Sequence, residues 1–157
     1  MKYTDVSKDT VENNLREALK RLLENDAYLL EKDVNERSIS HRLAMYLQQL
    51  FGDWHVDCEY NKDHDDPKKL NFSHGQSTTK TNDTNAKTVY PDIIIHHRGT
   101  AENLVVIEIK KTTNSDGTTF DIKKLKAFKE ELCYRFSVSL ILKTGCCAPG
   151  IKELKYI

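Results

Sequence analysis

Two apolar runs in this chain carry charge where a buried strand ordinarily carries none. Pro91-Asp92 opens Ile93-Ile94-Ile95, and Val105-Val106-Ile107 ends in Glu108-Ile109-Lys110. Burying even an uncharged polar group without a partner costs roughly 2–7 kcal/mol, and an isolated charge costs more. Three ionisable side chains in such runs therefore need partners or a cation. Residues 91–97 and 103–110 are rich in β-branched side chains and are joined by Arg98-Gly99-Thr100-Ala101-Glu102, whose glycine suits a turn. The spacing predicts a β-hairpin that returns the end of the second strand to the start of the first.

Register decides whether the three groups meet. Glu108 and Lys110 are two apart and share a face, and Asp92 joins them if it pairs with an even-numbered residue such as Glu108 or Lys110. A slip of one residue sends it to the other face. Two carboxylates converging from adjacent strands make a hard oxygen site suited to magnesium or manganese. A lysine beside the ion stabilises developing charge on a phosphate or orients a hydrolytic water. The alternative is a hairpin whose strand ends bear ordinary surface charges, with Lys110-Lys111 opening a solvated loop.

Pro91-Asp92 followed by Glu108-Ile109-Lys110 resembles the PD-(D/E)xK signature of the restriction-endonuclease-like nuclease superfamily and matches every position of that short pattern. The resemblance implies an α/β fold with an αβββαβ core, a mixed central sheet flanked by helices, and metal-dependent hydrolysis of phosphodiester bonds. It implies Asp92 and Glu108 as ligands of Mg2+ or Mn2+, Lys110 as the residue that positions or activates the attacking water, and DNA as the usual substrate, in repair, recombination or phage defence. Members commonly place a glutamate on the helix preceding the sheet, where it assists metal or water binding. Between Asn35 and Phe51 the apolar residues Ile39, Leu43, Leu47 and Leu50 recur at helical spacing, and three positions before Ile39 stands Glu36, which resembles that residue. A second role for Glu36 is helix-end chemistry, since an acid in the first turn is favoured by the helix dipole. One such site cuts one strand, so a homodimer would serve double-strand cleavage. Two rival classes are a non-catalytic nucleic-acid-binding module and a protein-interaction domain that keeps the signature as a relic. An intact Asp92, Glu108 and Lys110 favours catalysis over both.

A chain of 157 residues is the length of one domain, with an extra helix at its amino terminus. Lysine plus arginine balance aspartate plus glutamate at 24 each, which argues against a purely electrostatic nucleic-acid binder. Basic charge gathers locally: from Asp121 to Phe136 the residues Ile122, Leu125, Phe128, Leu132 and Phe136 form a helical stripe, with Lys123, Lys124, Lys126 and Lys129 on the remainder. These lysines are candidate phosphate contacts, although most lysine-rich helix faces are merely solvated. Val11, Leu15, Ala18, Leu19, Leu22 and Leu23 mark the first helix, with Asp9 and Glu12 as its capping pair and Asn25-Asp26 at its end. Strands are expected at Trp54 to Tyr60 and Ser137 to Leu142, and Ile151 to Ile157 is an edge strand or a short helix.

Residues 61–88 are polar and small, the composition of a long mobile loop. A metal reading of His64, Asp65 and Asp66 is discounted because such a loop lacks preorganised geometry. Glu59 and Asn61 either approach the carboxylates or are edge-strand surface groups. His96 and His97 point to opposite faces at what is expected to be the exposed end of the hairpin, and Tyr90 is expected to pack. Cys58, Cys133, Cys146 and Cys147 show no zinc-ligand spacing and are expected as reduced thiols. The absence of a hydrophobic leader or a run of ~20 apolar residues points to a cytoplasmic protein without a membrane span.

Overall fold

The computed structural model describes residues 5–60, 69–71, 86–114, 118–145 and 148–157. Helix α1, Lys8–Asn25, begins where the Ser7 hydroxyl accepts the Thr10 N–H at 3.1 Å, and it buries Val11, Leu15, Ala18, Leu19 and Leu22 along one stripe. The cap is thus Ser7 and not the Asp9–Glu12 pair. Glu12 lies inside the helix, where Arg16 one turn on holds it. Asp26 ends α1 as expected, its N–H bonded to the Leu22 carbonyl at 2.8 Å. The short α2, Ala27–Glu31, leads to α3, Glu36–Leu50, capped by Asn35 Oδ1 on the Ser38 N–H and buried through Ile39, Leu43 and Leu47.

Strand β1, His55–Cys58, is followed by two short strands, β2 (Lys69–Asn71) and β3 (Ala86–Thr88), which pair antiparallel as a separate ladder. The stretch 61–88, expected as one long loop, therefore contributes regular structure at both places; its other residues lie outside those described. Then come β4 (Ile93–His96), β5 (Asn103–Lys111), α4 (Thr118–Glu131), β6 (Phe136–Lys143) and β7 (Gly150–Tyr156). The fold is α/β, with a five-stranded mixed sheet in the order β1-β4-β5-β6-β7. The β5–β6 pair is parallel, joined through α4, and the other neighbours are antiparallel.

Alternation along the strands divides the interior in two. Ile93, Ile95, Val105, Ile107, Ile109, Val138, Leu140 and Leu142 face α1 and α3 in the larger core. Ile94 and Val106 face α4 and join Val89, Leu125, Phe128 and Tyr134 in the smaller one. β5 is central and buried from Asn103 to Ile109, as its unbroken apolar run requires. Helix α4 stops at Glu131 and does not reach Phe136: Cys133 adopts φ 54°, the N–H groups of Leu132 and Tyr134 both turn back to the Phe128 carbonyl, and Phe136 opens β6. The last segment is an edge strand, β7. Between Ile95 and His96 the β4–β5 register shifts at a bulge, so that His96 stands opposite Asn103.

Candidate functional site

The hairpin takes the register that brings the acids together. Ile93 pairs with Ile107 and Ile94 with Val106, so Asp92, one residue before β4, stands opposite Glu108 on the face covered by α4. Asp92 Oδ2 accepts the Ile109 N–H at 2.7 Å, and its own carbonyl accepts the Glu59 N–H at 3.2 Å. The carboxylate is thereby fixed at the rim of the sheet by main-chain bonds.

Above these acids the charges meet crosswise. Lys124 Nζ lies 2.9 Å from Glu108 Oε1, and Lys110 Nζ lies 2.9 Å from Asp121 Oδ2. Asp121 and Lys124 are three apart on α4, hence neighbours on its inner face. Lys124 also donates to the Tyr90 carbonyl at 2.7 Å. Glu108 is only 6% exposed, and among the described residues its Oε1 has the Lys124 ammonium as its partner. Burial, reinforced by the negative charge of Asp92, pushes the Glu108 carboxyl up to about 8 even though Lys124 pulls the other way. Burial likewise raises Asp92, against the Ile109 hydrogen bond and Lys124, with Glu36 adding a further upward push.

Glu36 is the first residue of α3, and its Oε1 accepts the Asn114 side-chain N–H at 3.0 Å. It approaches Asp92 over the sheet rim from the layer opposite α4, and both line a groove of about 900 Å³ with Arg37, Ser40 and Glu59. What holds Glu36 there is a latch. Asp33, in a left-handed conformation at φ 51°, accepts the hydroxyls of Thr113 and Thr144 at 2.8 Å each and sits 3.1 Å from Lys111 Nζ. Lys111 also donates to the Val34 carbonyl at 3.0 Å. The turn before α3 is thus tied to the end of β5 and to the residue after β6, and these bonds hold the Asp33 carboxyl below its usual range.

Asp92 and Glu108 fit a small hard cation as donors: two carboxylates facing each other across the hairpin, both raised by burial and Glu108 further by the charge of Asp92. As the side chains stand, no group of three or more potential ligands among the described residues is close enough to enclose a metal. A magnesium ion held by one or two carboxylates, and completed by water and phosphate, does not require one.

The structure changes the expected surroundings. Lys124, grouped by sequence with solvated lysines, is 12% exposed and belongs to the site, whereas Lys123, Lys126 and Lys129 are exposed. The available signal was acid-then-lysine on the helix facing acid-then-lysine on the strand. Lys110 has Asp121 as an ion-pair partner. Glu59 pairs with Arg37 at 3.1 Å on the groove wall. His96 and His97 do point to opposite faces, but both are buried, His96 Nε2 2.9 Å from Asp57 Oδ2 and His97 stacked on Trp54. Tyr90 is 57% exposed rather than packed. Cys58 and Cys133 are free thiols. Asn61, His64, Asp65, Asp66, Cys146 and Cys147 lie outside the described residues. No helix among the described residues is long and apolar enough to cross a membrane. No protein-family model matches the chain, and no significant match was found among curated proteins or among solved structures.

Proposed function

We propose that this chain is a metal-dependent nuclease of the PD-(D/E)xK type, hydrolysing phosphodiester bonds, with DNA as the substrate. The observation that carries the proposal is the placement of Asp92 opposite Glu108 at the rim of the sheet, two carboxylates converging from adjacent strands with Glu108 buried. Support comes also from chain order: from α3 onward, and apart from the β2–β3 ladder, the main elements run helix, three strands, helix, strand, which agrees with a restriction-endonuclease-like αβββαβ core followed by an edge strand.

Asp92 and Glu108 would hold Mg2+ or Mn2+, with Glu36 contributing through water. The ion supplies Lewis-acid polarisation of a phosphoryl oxygen and a more acidic bound water. The chain's own part is positioning and charge. The Ile109 N–H aims the Asp92 carboxylate, and α4 keeps water from the inner side of Glu108. Lys110, 11% exposed beside Asp121, offers positive charge to the attacking water and the phosphate. Cleavage of both strands of a duplex calls for a second site, hence a homodimer, and reduced Cys58 and Cys133 suit the cytoplasm.

The crossed ion pairs favour one other reading: a nucleic-acid-binding module in which Lys124 neutralises the former metal ligand Glu108, and Lys110 with Asp121 helps hold the fold, without catalysis. The deciding experiment incubates linear duplex, single-stranded, branched and RNA substrates with wild type and Glu108→Ala, in magnesium, manganese or chelator. The nuclease reading expects cleavage that requires metal and falls at least ~100-fold in the variant, as losing a metal ligand implies. Binding of nucleic acid by both proteins with no cleavage under any condition would select the module instead.

A further inference from the structure

The strand and the helix above it carry the same charges in the same order, Glu108 then Lys110 and Asp121 then Lys124, and they pair across rather than along. The ammonium at the buried carboxylate is consequently that of Lys124. Its two contacts, a carboxylate oxygen at 2.9 Å and the Tyr90 carbonyl oxygen at 2.7 Å, are the kind of hard oxygen a small divalent cation selects. The stem emerges from α4 between its buried residues, beside Leu125 and one turn before Phe128, so its direction is set by packing. Lys123, the adjacent residue on the same helix, is exposed.

Building on the nuclease reading, we infer that Lys124 is a second lysine of the site: it fills the cation position on Glu108 until a divalent ion is bound, and then presents its ammonium to the substrate phosphate. An ammonium and a divalent ion repel when they share one carboxylate oxygen, so the two occupy Glu108 in turn. The four-carbon stem lets the ammonium swing while its anchor in α4 stays fixed. Lys110, beside Asp121, keeps its place through that exchange.

Mn2+ binding followed by electron paramagnetic resonance at pH 8.5 tests this with wild type, Lys124→Met and Lys123→Met. Removing the competing charge should tighten Mn2+ binding at least ~10-fold in Lys124→Met and leave Lys123→Met within about twofold. Equal, measurable affinities for wild type and Lys124→Met overturn the inference while the metal site stands, whereas no Mn2+ binding by any of the three overturns the metal site as well. A measurement on the wild type avoids dependence on the variant's folding. In acetic-anhydride labelling at pH 8.5 read by mass spectrometry, Mn2+ should speed modification of Lys124 at least ~5-fold, as its desolvated ion pair opens, and leave Lys123 unchanged. No change at Lys124 under saturating Mn2+ refutes the exchange. For the phosphate role, affinity for duplex DNA held uncleaved in Ca2+ should fall ~10-fold in Lys124→Met and recover in Lys124→Arg. Unaltered affinity removes that role.

Discussion

Glu108 makes the metal-free protein sensitive to alkali. Burial raises its carboxyl to about 8 from the 4.5 of an unfolded chain, so between those values the native state holds a proton that the unfolded state has released. The contribution of Glu108 to stability is therefore full below about pH 4.5, falls as pH climbs to about 8 and is level beyond, a loss on the order of a few kcal/mol. Asp92 acts in the same direction. His97, lowered by burial, acts oppositely below its usual 6.5, so the clean window is pH 6.5–9. Urea unfolding in chelator should show the fall in wild type and a clearly shallower one in Glu108→Gln; an unchanged slope in the variant assigns the fall elsewhere. That Glu108 and Lys110 share a face was legible from β-strand parity, but the register that sets Asp92 opposite Glu108 was not, since runs apolar on both faces carry no alternation to choose it. Nor was the inward turn of Lys124, since nothing local distinguishes it from Lys123 or Lys126, and only the partner charges on a strand distant in sequence set its direction.

At the level of elements, α4 has the weaker hold. Its apolar contacts are confined to the smaller core around Phe128, which meets Tyr134 edge to face at 5.7 Å. Phe128→Ala should cost ~3–5 kcal/mol, as large-to-small changes in a packed core do. Because Phe128 anchors the helix that aims Lys124, the same variant should also lose most of the metal-induced change in Lys124 labelling. A melting temperature unchanged from wild type would show that α4 is held by its ion pairs instead. The helices and main strands were legible from periodicity, but their ends were not. Ser7 captured the cap that Asp9 was expected to supply, because its hydroxyl meets the Thr10 N–H. The end of α4 depends on a left-handed Cys133, a conformation that no glycine or asparagine announces.

For the molecule as a whole, the sheet is the common wall of two unequal interiors, and the candidate site sits on its rim with Glu36 supplied from one layer and Lys124 from the other. Hydrogen exchange should accordingly be slowest in β5, which is paired on both sides and buried from Asn103 to Ile109, and faster in β7, an edge strand with largely exposed side chains. Comparable protection in both strands would contradict this order. The two short strands within 61–88 were illegible, since three-residue ladders leave no periodicity to detect. One consequence follows from the bulge between Ile95 and His96. Ahead of it the hairpin keeps step with Asp92 and Glu108; beyond it the count has changed by one, and the exposed turn at Gly99 belongs to a separate phase. The turn can be lengthened, or made to carry a fluorophore, without rotating either acid away from the other, so the far tip of the hairpin is a handle already insulated from the chemistry at its base.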